Sequence, residues 1–199
     1  MRRLLIATKN AHKTAEIRAI LGLEWSVTDL TSHAAIPAPE ETGATFAENA
    51  ALKALAASAS FEGLVLADDS GLEVDALGGA PGVYSARYAG IDATDAENRK
   101  KLLLEMEAVG ARGKARTARF RCAMAVAEHG EIRDTFSGAV EGVIINEERG
   151  EAGFGYDSLF VPKGYCETFA QLGAETKNTL SHRASALAQA KQRLLRRRI

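Results

Sequence analysis

Short apolar runs alternate with helical patterns along this chain and predict a mixed α/β protein. The run Leu4–Ala7 predicts a first strand, and the polar turn after it leads into a helix that carries Ile17 and Leu21 and ends at Gly22. The next segment, Ser26–Pro39, shows neither helical nor strand periodicity and predicts irregular chain. An apolar run at 64–67 predicts a short buried strand in the middle of the chain.

Two capping boxes predict the starts of two further helices. Thr45-x-x-Glu48 opens an Ala-rich helix through about Ser60, and Thr94-x-x-Glu97 opens another. The helical spacing predicts one buried face in each: Leu52, Leu55, Ala56 and Ala59 in the first, and Leu102, Leu103 and Met106 in the second. A last helix is predicted to begin near Ser181.

Strand patterns dominate the second half of the chain before that last helix. Thr117–Ala127 alternates apolar and polar residues, and Ile132–Phe136 and Ala139–Ile145 predict neighbouring strands. Sequential strands of this kind favour an antiparallel section of the sheet. A Gly- and aromatic-rich turn, Gly153–Pro162, leads into the short strand Leu159–Val161. We expect residues 1–199 to form a single compact domain with two lobes.

The segment from Ala67 to Ser85 carries the strongest indication of chemistry. Asp68 and Asp69 end the predicted strand, a Ser-Gly turn follows, and five glycines or prolines lie beside four acidic residues. Open α/β sheets bind ligands at strand ends, and a cation or a proton would relieve the repulsion between adjacent carboxylates. A capping Asp in an ordinary turn is the alternative interpretation. We take this segment as the predicted catalytic centre.

Composition narrows the class of protein. The chain has 199 residues, 46% hydrophobic and 26% charged, with a net charge of −1, so we expect one sizeable core and no nucleic-acid partner. A basic cluster, Arg193, Arg196, Arg197 and Arg198, is typical of a solvated helix end. The two cysteines, Cys122 and Cys166, are too few for a disulfide framework. The N-terminal apolar run is too short for a signal or a membrane span, so we expect a cytoplasmic protein.

Two helix starts are further candidate binding sites. The strand-to-helix passage Thr8–Lys13 offers backbone N–H groups, a positive dipole end and a lysine, which suit a phosphate. An ordinary capped helix start is the alternative. His182 and Arg183 lie in the first turn of the last helix, where surface residues are the ordinary expectation.

Five passages together resemble the inosine triphosphate pyrophosphatase family, enzymes that remove noncanonical purine nucleoside triphosphates. They are ATKNAHKTAEI, EETGATFAENALKAL, LADDSGLEVDALGGAPGVYSARYAG, GFGYDSLFVP and LSHRASAL, in the family's order over nearly the full length. The resemblance implies an elongated, two-lobed mixed α/β fold, with a central mixed sheet flanked by helices and a nucleotide cleft between the lobes. It implies Mg²⁺-dependent hydrolysis of ITP, dITP and XTP to the monophosphate and pyrophosphate. It also implies a homodimer without a membrane partner.

The resemblance also implies roles for individual residues. Asp69 is the proton acceptor and a metal ligand, Glu40 coordinates the metal directly or through water, and Ser70 touches substrate. The implied phosphate contacts are Thr8, Lys9, Asn10, Ala11, His12 and Lys13, and the implied nucleoside contacts are Phe154, Gly155, Tyr156, Asp157, Lys177, His182 and Arg183.

Residue chemistry agrees with this assignment and leaves some choices open. Lys53 and Lys13 can hold phosphates, and carboxylates at Glu40, Glu41, Asp68 and Asp69 suit a hard cation, without indicating which of the adjacent pair binds it. Donors from His182, Arg183 or the backbone of that helix start would pair with a purine O6 and reject adenine, but guanine shares this atom. Phe154 is either a stacking surface or a core aromatic.

One residue departs from the family's pattern, and two rival functions remain open. Ser158 follows Asp157 where the family often has proline, which relaxes the restriction on Asp157. A related pyrophosphatase that prefers pyrimidine triphosphates is the nearest rival enzyme. A nucleotide sensor without catalysis is the rival from another class, although a sensor has no need of the full acidic set.

Overall fold

The computed structural model describes residues 2–37 and 39–196 and contains a six-stranded mixed sheet with helices. The strands are β1 (Arg2–Ile6), β2 (Trp25–Asp29), β3 (Leu64–Val74), β4 (Thr117–Glu128), β5 (Glu131–Ile144) and β6 (Phe160–Pro162). The α-helices are α1 (Ala11–Leu21), α2 (Phe46–Ser58), α3 (Asp95–Ala108), α4 (Phe169–Leu180) and α5 (His182–Arg196). The strand order is β2-β1-β3-β4-β5-β6, which confirms the mixed α/β class with a central sheet.

The chain forms two compact units, each discontinuous in sequence. Unit 1 comprises the described residues up to Asp69, Cys122–Gly138 and the described residues from Arg183 onward, and unit 2 comprises Ser70–Arg121 and Ala139–His182. Strands β3, β4 and β5 each continue from one unit into the other. The single domain over 1–199, the elongated shape and the cleft stay predictions.

Unit 1 is built on parallel strands. β1 pairs in parallel with β2 on one side and with β3 on the other, so Leu4 aligns with Val27 and Leu64. Strand alternation brings every second residue to one face, where helices α1 and α5 cover it. The buried residues of this core are Leu4, Ile6, Trp25, Leu66, Cys122, Met124 and Val126 of the strands with Ile17, Leu21, Ala186 and Leu187 of the helices.

Unit 2 has a separate core rich in aromatic rings. Leu72 and Val74 of β3 pack with Leu102 and Met106 of α3 in a cluster that also contains Ala118, Phe120, Tyr156, Leu159, Phe160 and Phe169. The ring centroids of Phe120 and Phe160 lie 4.8 Å apart. β5 and β6 are antiparallel, and a Cβ at Gly142 would lie 2.4 Å from the Val161 carbonyl oxygen, so the close pairing requires glycine there.

Local signals predicted several elements correctly. Helix α1 begins after Asn10 and ends at Gly22, whose φ of 75° suits glycine. Helix α3 has the complete capping box at Thr94, and Leu102 and Met106 are buried, while Leu103 is half-buried. Strand β4, the short strand β6 and the final helix α5 are also confirmed, within one or two residues.

Three predictions about strands were wrong. Trp25–Asp29 is a strand rather than irregular chain, because it pairs with β1 and buries Trp25. The turn at Ser70–Gly71 does not form, because β3 continues to Val74 as an 11-residue strand. The two predicted strands at 132–145 are one continuous strand, β5, of 14 residues.

Two predictions about helices also needed correction. The buried residues of α2 include Ala50, Ala54 and Ala57, whereas Leu52 of the predicted face is 36% exposed, because small alanines allow closer packing. Helix α4 was not predicted: it starts at a capping box on Thr168, and its interior contains Gly173 at φ 76°, which interrupts the helical pattern.

The remaining expectations concern the surface and the C-terminus. No helix in the described part of the chain is long and apolar enough to cross a membrane. In the basic cluster, Arg193 forms an ion pair with Asp134, 3.3 Å apart, as expected of a solvated helix end. Arg197 and Arg198 lie outside the described residues, as does the side chain of Arg196.

Candidate functional site

Asp68 and Asp69 lie within β3 of unit 1, and the alternation of the strand directs them to opposite faces of the sheet. Both side chains are buried, with exposed fractions of 1% for Asp68 and 6% for Asp69. Asp68 lies on the face covered by α1 and α5, and Asp69 lies on the face of α2. The two carboxylates therefore have separate partners and separate chemistry.

The Asp69 carboxylate is held by helix α2. Lys53 Nζ lies 2.8 Å from Asp69 Oδ1 and 3.0 Å from Glu41 Oε1, so one ammonium group bridges two carboxylates. Asn49 Nδ2 donates to Asp69 Oδ2 at 3.4 Å. Burial raises the pKa of Asp69 above its ordinary value, and the Lys53 ammonium offsets only part of this rise. A raised pKa makes this carboxylate a better proton acceptor.

The Asp68 carboxylate is an internal counter-charge. Lys13 Nζ lies 2.5 Å from Oδ1, Arg183 Nε lies 3.3 Å from Oδ2, and the Cys122 thiol donates to Oδ2 at 3.0 Å. Burial alone would raise the pKa of Asp68, but Arg183 and Lys13 outweigh it and hold the pKa well below its ordinary value. Arg183 also pairs with Glu16 of α1. This cluster fixes the orientation of Lys13 and Arg183.

The predicted phosphate segment surrounds the start of α1. Asn10 is the N-cap, and its Oδ1 accepts from the amides of His12 at 2.9 Å and Lys13 at 3.1 Å. Thr8 Oγ1 accepts from the Asn10 amide at 3.1 Å. Lys9, Asn10, Ala11 and His12 are exposed at the helix start. Two of the helix-start amides are thus already capped, which leaves the charge of the lysines and the helix dipole for a ligand.

In unit 2, Asp157 and Lys177 form a buried ion pair, with Lys177 Nζ 2.5 Å from Asp157 Oδ2. The same oxygen accepts from the Phe154 amide at 3.0 Å, and the Lys177 ammonium lies 4.6 Å from the centroid of the Phe154 ring. A Cβ at Gly153 would lie 2.2 Å from this oxygen, and the φ of Gly153 is 82°, so glycine is required. Phe154 is half-buried and forms part of this cluster.

The rest of the predicted nucleoside turn is held by α3 and by the chain before it. The Gly155 amide donates to Asp95 Oδ2 at 2.6 Å, and its carbonyl accepts from Arg99 at 2.8 Å. Tyr156 is buried, and its hydroxyl donates to the Ser85 carbonyl at 2.9 Å. Ser158, which stands where the family often has proline, donates to Glu148 at 2.9 Å. Ser70 is half-buried at the start of the unit 2 part of β3.

His182 and Arg183 are adjacent in sequence but belong to different units. His182 is buried and stacks on Phe120, with ring centroids 5.0 Å apart and an interplanar angle of 14°. Arg183 belongs with Asp68 in unit 1. The structure therefore groups Arg183 with Lys13, and it groups Asp157 with Lys177 and Phe154.

The acidic residues of unit 1 fit a hard cation in their chemistry. The bridging Lys53 ammonium shows that Glu41 and Asp69 together accommodate positive charge, and carboxylate oxygens are the ligands that Mg²⁺ prefers. Glu40 is exposed on the same segment, next to Glu41. Among the described residues, no three His, Cys, Asp or Glu side chains converge as a ready metal cage. Such a set suits an ion that keeps several waters and binds together with phosphates.

Sequence reasoning missed several residues that shape these clusters. Asn49 and Cys122 contact the two central carboxylates, and Asp95 and Arg99 hold Gly155. The sequence did contain a signal for Asn49, since an asparagine follows the capping-box Glu48 where alanine would better suit a helix. Cys122 gave only a strand pattern, because its partner lies 54 positions away.

Comparisons with known proteins identify the family. The sequence model of the Ham1 family matches residues 4–193. A dITP/XTP pyrophosphatase of Geobacter sulfurreducens is 50% identical over 196 residues, covering 98% of this chain and 97% of the relative. A dITP/XTP pyrophosphatase of Bacillus licheniformis is 49% identical over 188 residues, covering 94% and 95%.

Solved structures agree with the sequence relatives. A HAM1 protein from Coxiella burnetii superposes with a TM-score of 0.88 at 40% identity, covering 98% of this chain and all of that one. A nucleoside-triphosphatase described as a dITP/XTP pyrophosphatase, from Mycobacterium abscessus, gives a TM-score of 0.73 at 38% identity, covering 94% and 98%. The chain belongs to the Ham1 family, and the family resemblance is confirmed.

Proposed function

We propose that this chain is a Mg²⁺-dependent pyrophosphohydrolase that converts noncanonical purine nucleoside triphosphates (ITP, dITP and XTP) to the monophosphate and pyrophosphate. The relatives named above carry dITP/XTP pyrophosphatase as their name, which supports this reaction class. The observation that carries the proposal is the Asp69 carboxylate, which is buried, has a raised pKa and lies in contact with Lys53.

The residues of unit 1 supply what triphosphate hydrolysis requires of a protein. Asp69 accepts the proton of the attacking water, because its raised pKa makes it a competent general base. Lys53 and Lys13 are proposed to neutralise phosphate charge, and each is oriented by a buried carboxylate. Bound Mg²⁺ would further neutralise the phosphates and acidify a water, and Asp69, Glu41 and Glu40 are the residues that would hold it.

The residues of unit 2 are proposed to read the base. Phe154 offers a ring for stacking, and the Lys177–Asp157 pair fixes its position. A donor at Lys177 or His182 suits an acceptor at purine O6. A site built on donors rejects adenine, whose amino group leaves those donors unsatisfied, by a factor of about 100 or more.

The assembly and location follow the same proposal. We propose that the protein is a cytoplasmic homodimer whose partner is its nucleotide substrate, with no nucleic-acid or membrane partner. The near-neutral net charge of −1 supports the absence of a nucleic-acid role.

Pyrophosphate release from ITP, dITP, XTP, GTP, ATP and dTTP, each with Mg²⁺ and with EDTA, tests the proposal. We expect metal-dependent release that is largely confined to ITP, dITP and XTP. Activity spread over pyrimidine triphosphates would move the chain to the pyrimidine-preferring class. Tight binding of ITP without turnover would make it a sensor, and either result would overturn the proposal.

A further inference from the structure

The buried amide of Asn49 joins two parts of the candidate site. Asn49 is 0% exposed on the second turn of α2, and its Nδ2 donates to Asp69 Oδ2 at 3.4 Å. Its Oδ1 accepts from the Gly43 amide at 2.8 Å. Because a backbone amide can only donate, the oxygen of Asn49 must face Gly43, and the amide nitrogen must then face the carboxylate.

The contact with Gly43 is closely fitted. A Cβ at Gly43 would lie 2.7 Å from Asn49 Oδ1, so the backbone approaches the amide more closely than any other residue would allow. Gly43 lies two residues after Glu41, and Glu41 shares the Lys53 ammonium with Asp69. Asn49 therefore touches the catalytic carboxylate with one end and the acidic segment 40–43 with the other.

The chain contains a second asparagine in the same local setting. The sequences TFAEN at 45–49 and TDAEN at 94–98 each place an asparagine directly after the capping-box glutamate. Asn98 is also buried, its Oδ1 accepts from the Ala89 amide at 2.7 Å, and its Nδ2 donates to the Ala86 carbonyl at 3.2 Å. Both amides tie a preceding segment to a helix, but only Asn49 gives its N–H to a carboxylate.

We infer that Asn49 is a positioning residue for the reaction: it fixes the Asp69 carboxylate relative to the acidic segment 40–43. The inference rests on the proposed function, in which Asp69 is the general base. Asn49 does not touch substrate and acts through the carboxylate. A small displacement of a reacting group costs about 10- to 100-fold in rate, so the loss falls on kcat rather than on KM.

Two substitutions at Asn49 separate positioning from mere tethering. Asn49→Asp keeps an oxygen for the Gly43 amide and removes the donor to Asp69. Asn49→Leu removes both polar contacts and adds no charge. We expect both variants to lower kcat by about 10- to 100-fold with KM for the nucleotide nearly unchanged. Hydrogen exchange at the Gly43 amide should stay slow in Asn49→Asp and become fast in Asn49→Leu.

Asn98→Leu is the matched control, because it removes an equivalent tether that touches no carboxylate. We expect it to lower Tm by an amount similar to Asn49→Leu while kcat stays within about twofold of wild type. All rates are measured well below every Tm, with the triphosphate that the wild type hydrolyses fastest, so a changed substrate preference does not affect the comparison.

The outcomes of this series are distinct. Wild-type kcat in both Asn49 variants, a loss confined to either one of them, or an equal loss in Asn98→Leu would each overturn the positioning role while leaving the proposed function in place. A loss confined to Asn49→Leu would show that Asn49 acts only through its contact with Gly43. Absence of turnover by the wild type on every triphosphate would overturn both.

Discussion

Asp68 and Asp69 are adjacent on β3, and Asp68 pairs with Lys13 and Arg183 while Asp69 pairs with Lys53. The pKa of Asp68 is lowered well below its ordinary value, and that of Asp69 is raised above its own. Environments that separate two carboxylates in this way assign them different tasks. Asp68 is a permanent counter-charge, and Asp69 is the group suited to exchange a proton.

Asp69→Asn keeps the shape of the side chain and removes the proton acceptor. We expect turnover to fall by about 10²- to 10⁴-fold, with little change in Tm. Pyrophosphate release under saturating nucleotide measures this. Asp134→Asn, which alters a surface ion pair with Arg193 in the same unit, is the control and should keep wild-type turnover. Near-normal turnover in Asp69→Asn would remove the base assignment.

Asp68→Asn should act mainly on stability. The substitution leaves Lys13 and Arg183 facing a neutral amide in a buried cluster, and breaking a buried charge pair costs about 3–5 kcal/mol. Urea unfolding monitored by circular dichroism measures the loss. The control is Asp75→Asn, since the Asp75 pair with Arg119 is a surface ion pair worth about 0–1 kcal/mol. Equal stability of the two variants would contradict the role of Asp68.

The Lys177–Asp157 pair should show strong coupling in a double-mutant cycle. Lys177→Met removes the ammonium from a buried carboxylate and is expected to cost about 3–5 kcal/mol. When Asp157→Asn is added to the Lys177→Met variant, it removes the unpaired carboxylate charge and restores part of the stability. The coupling free energy, taken from the unfolding of four proteins, should exceed about 1 kcal/mol. Simple additivity of the two single changes would show that the ion pair does not organise the 153–157 turn.

The two thiols should differ sharply in reactivity. Cys166 is exposed, whereas burial, together with the Asp68 carboxylate, raises the pKa of the Cys122 thiol well above its ordinary value. Because the thiolate is the reactive form, raising the pH to about 9 should not bring Cys122 into reaction. A thiol reagent should therefore modify one cysteine in the native protein and both in urea. The Cys166→Ser variant retains only Cys122, so rapid modification of this variant in its native state would contradict the prediction.

Features that depend on neighbouring residues were predictable from the sequence. The start of α3 at Thr94 is set by side chains that cap their own helix, so a few residues suffice to indicate it. The acidic pair and Lys13 were also identifiable, because they belong to continuous motifs in the resemblance. The arrangement of these three side chains in space could not be identified from the motifs.

Features that depend on distant residues were not predictable. β3 continues beyond Asp69 because partners outside the Ser-Gly pair hold it extended: the Leu72 amide donates to Ser85 Oγ at 2.9 Å, and the Val74 amide donates to the Ala80 carbonyl at 3.0 Å. A Ser-Gly pair read alone indicates a turn. Because the sequence indicated a strand that ends at Asp69, it did not indicate that the two aspartates lie on opposite faces of the sheet. β2 was missed for the same reason, since its pairing with β1 is supplied by another segment.

The discontinuity of unit 1 has a consequence for synthesis of the chain. Leu4 and Ile6 of β1 share a core with Ala186 and Leu187 of α5, so β1 is buried by a helix that comes much later in the chain. The chain from β1 through α5 must leave the ribosome before that core can close. Domains that rely on such long-range contacts fold slowly and expose apolar surface while they wait. β1 and α1 therefore keep part of their apolar surface uncovered until residues 182–196 are available to pack on it.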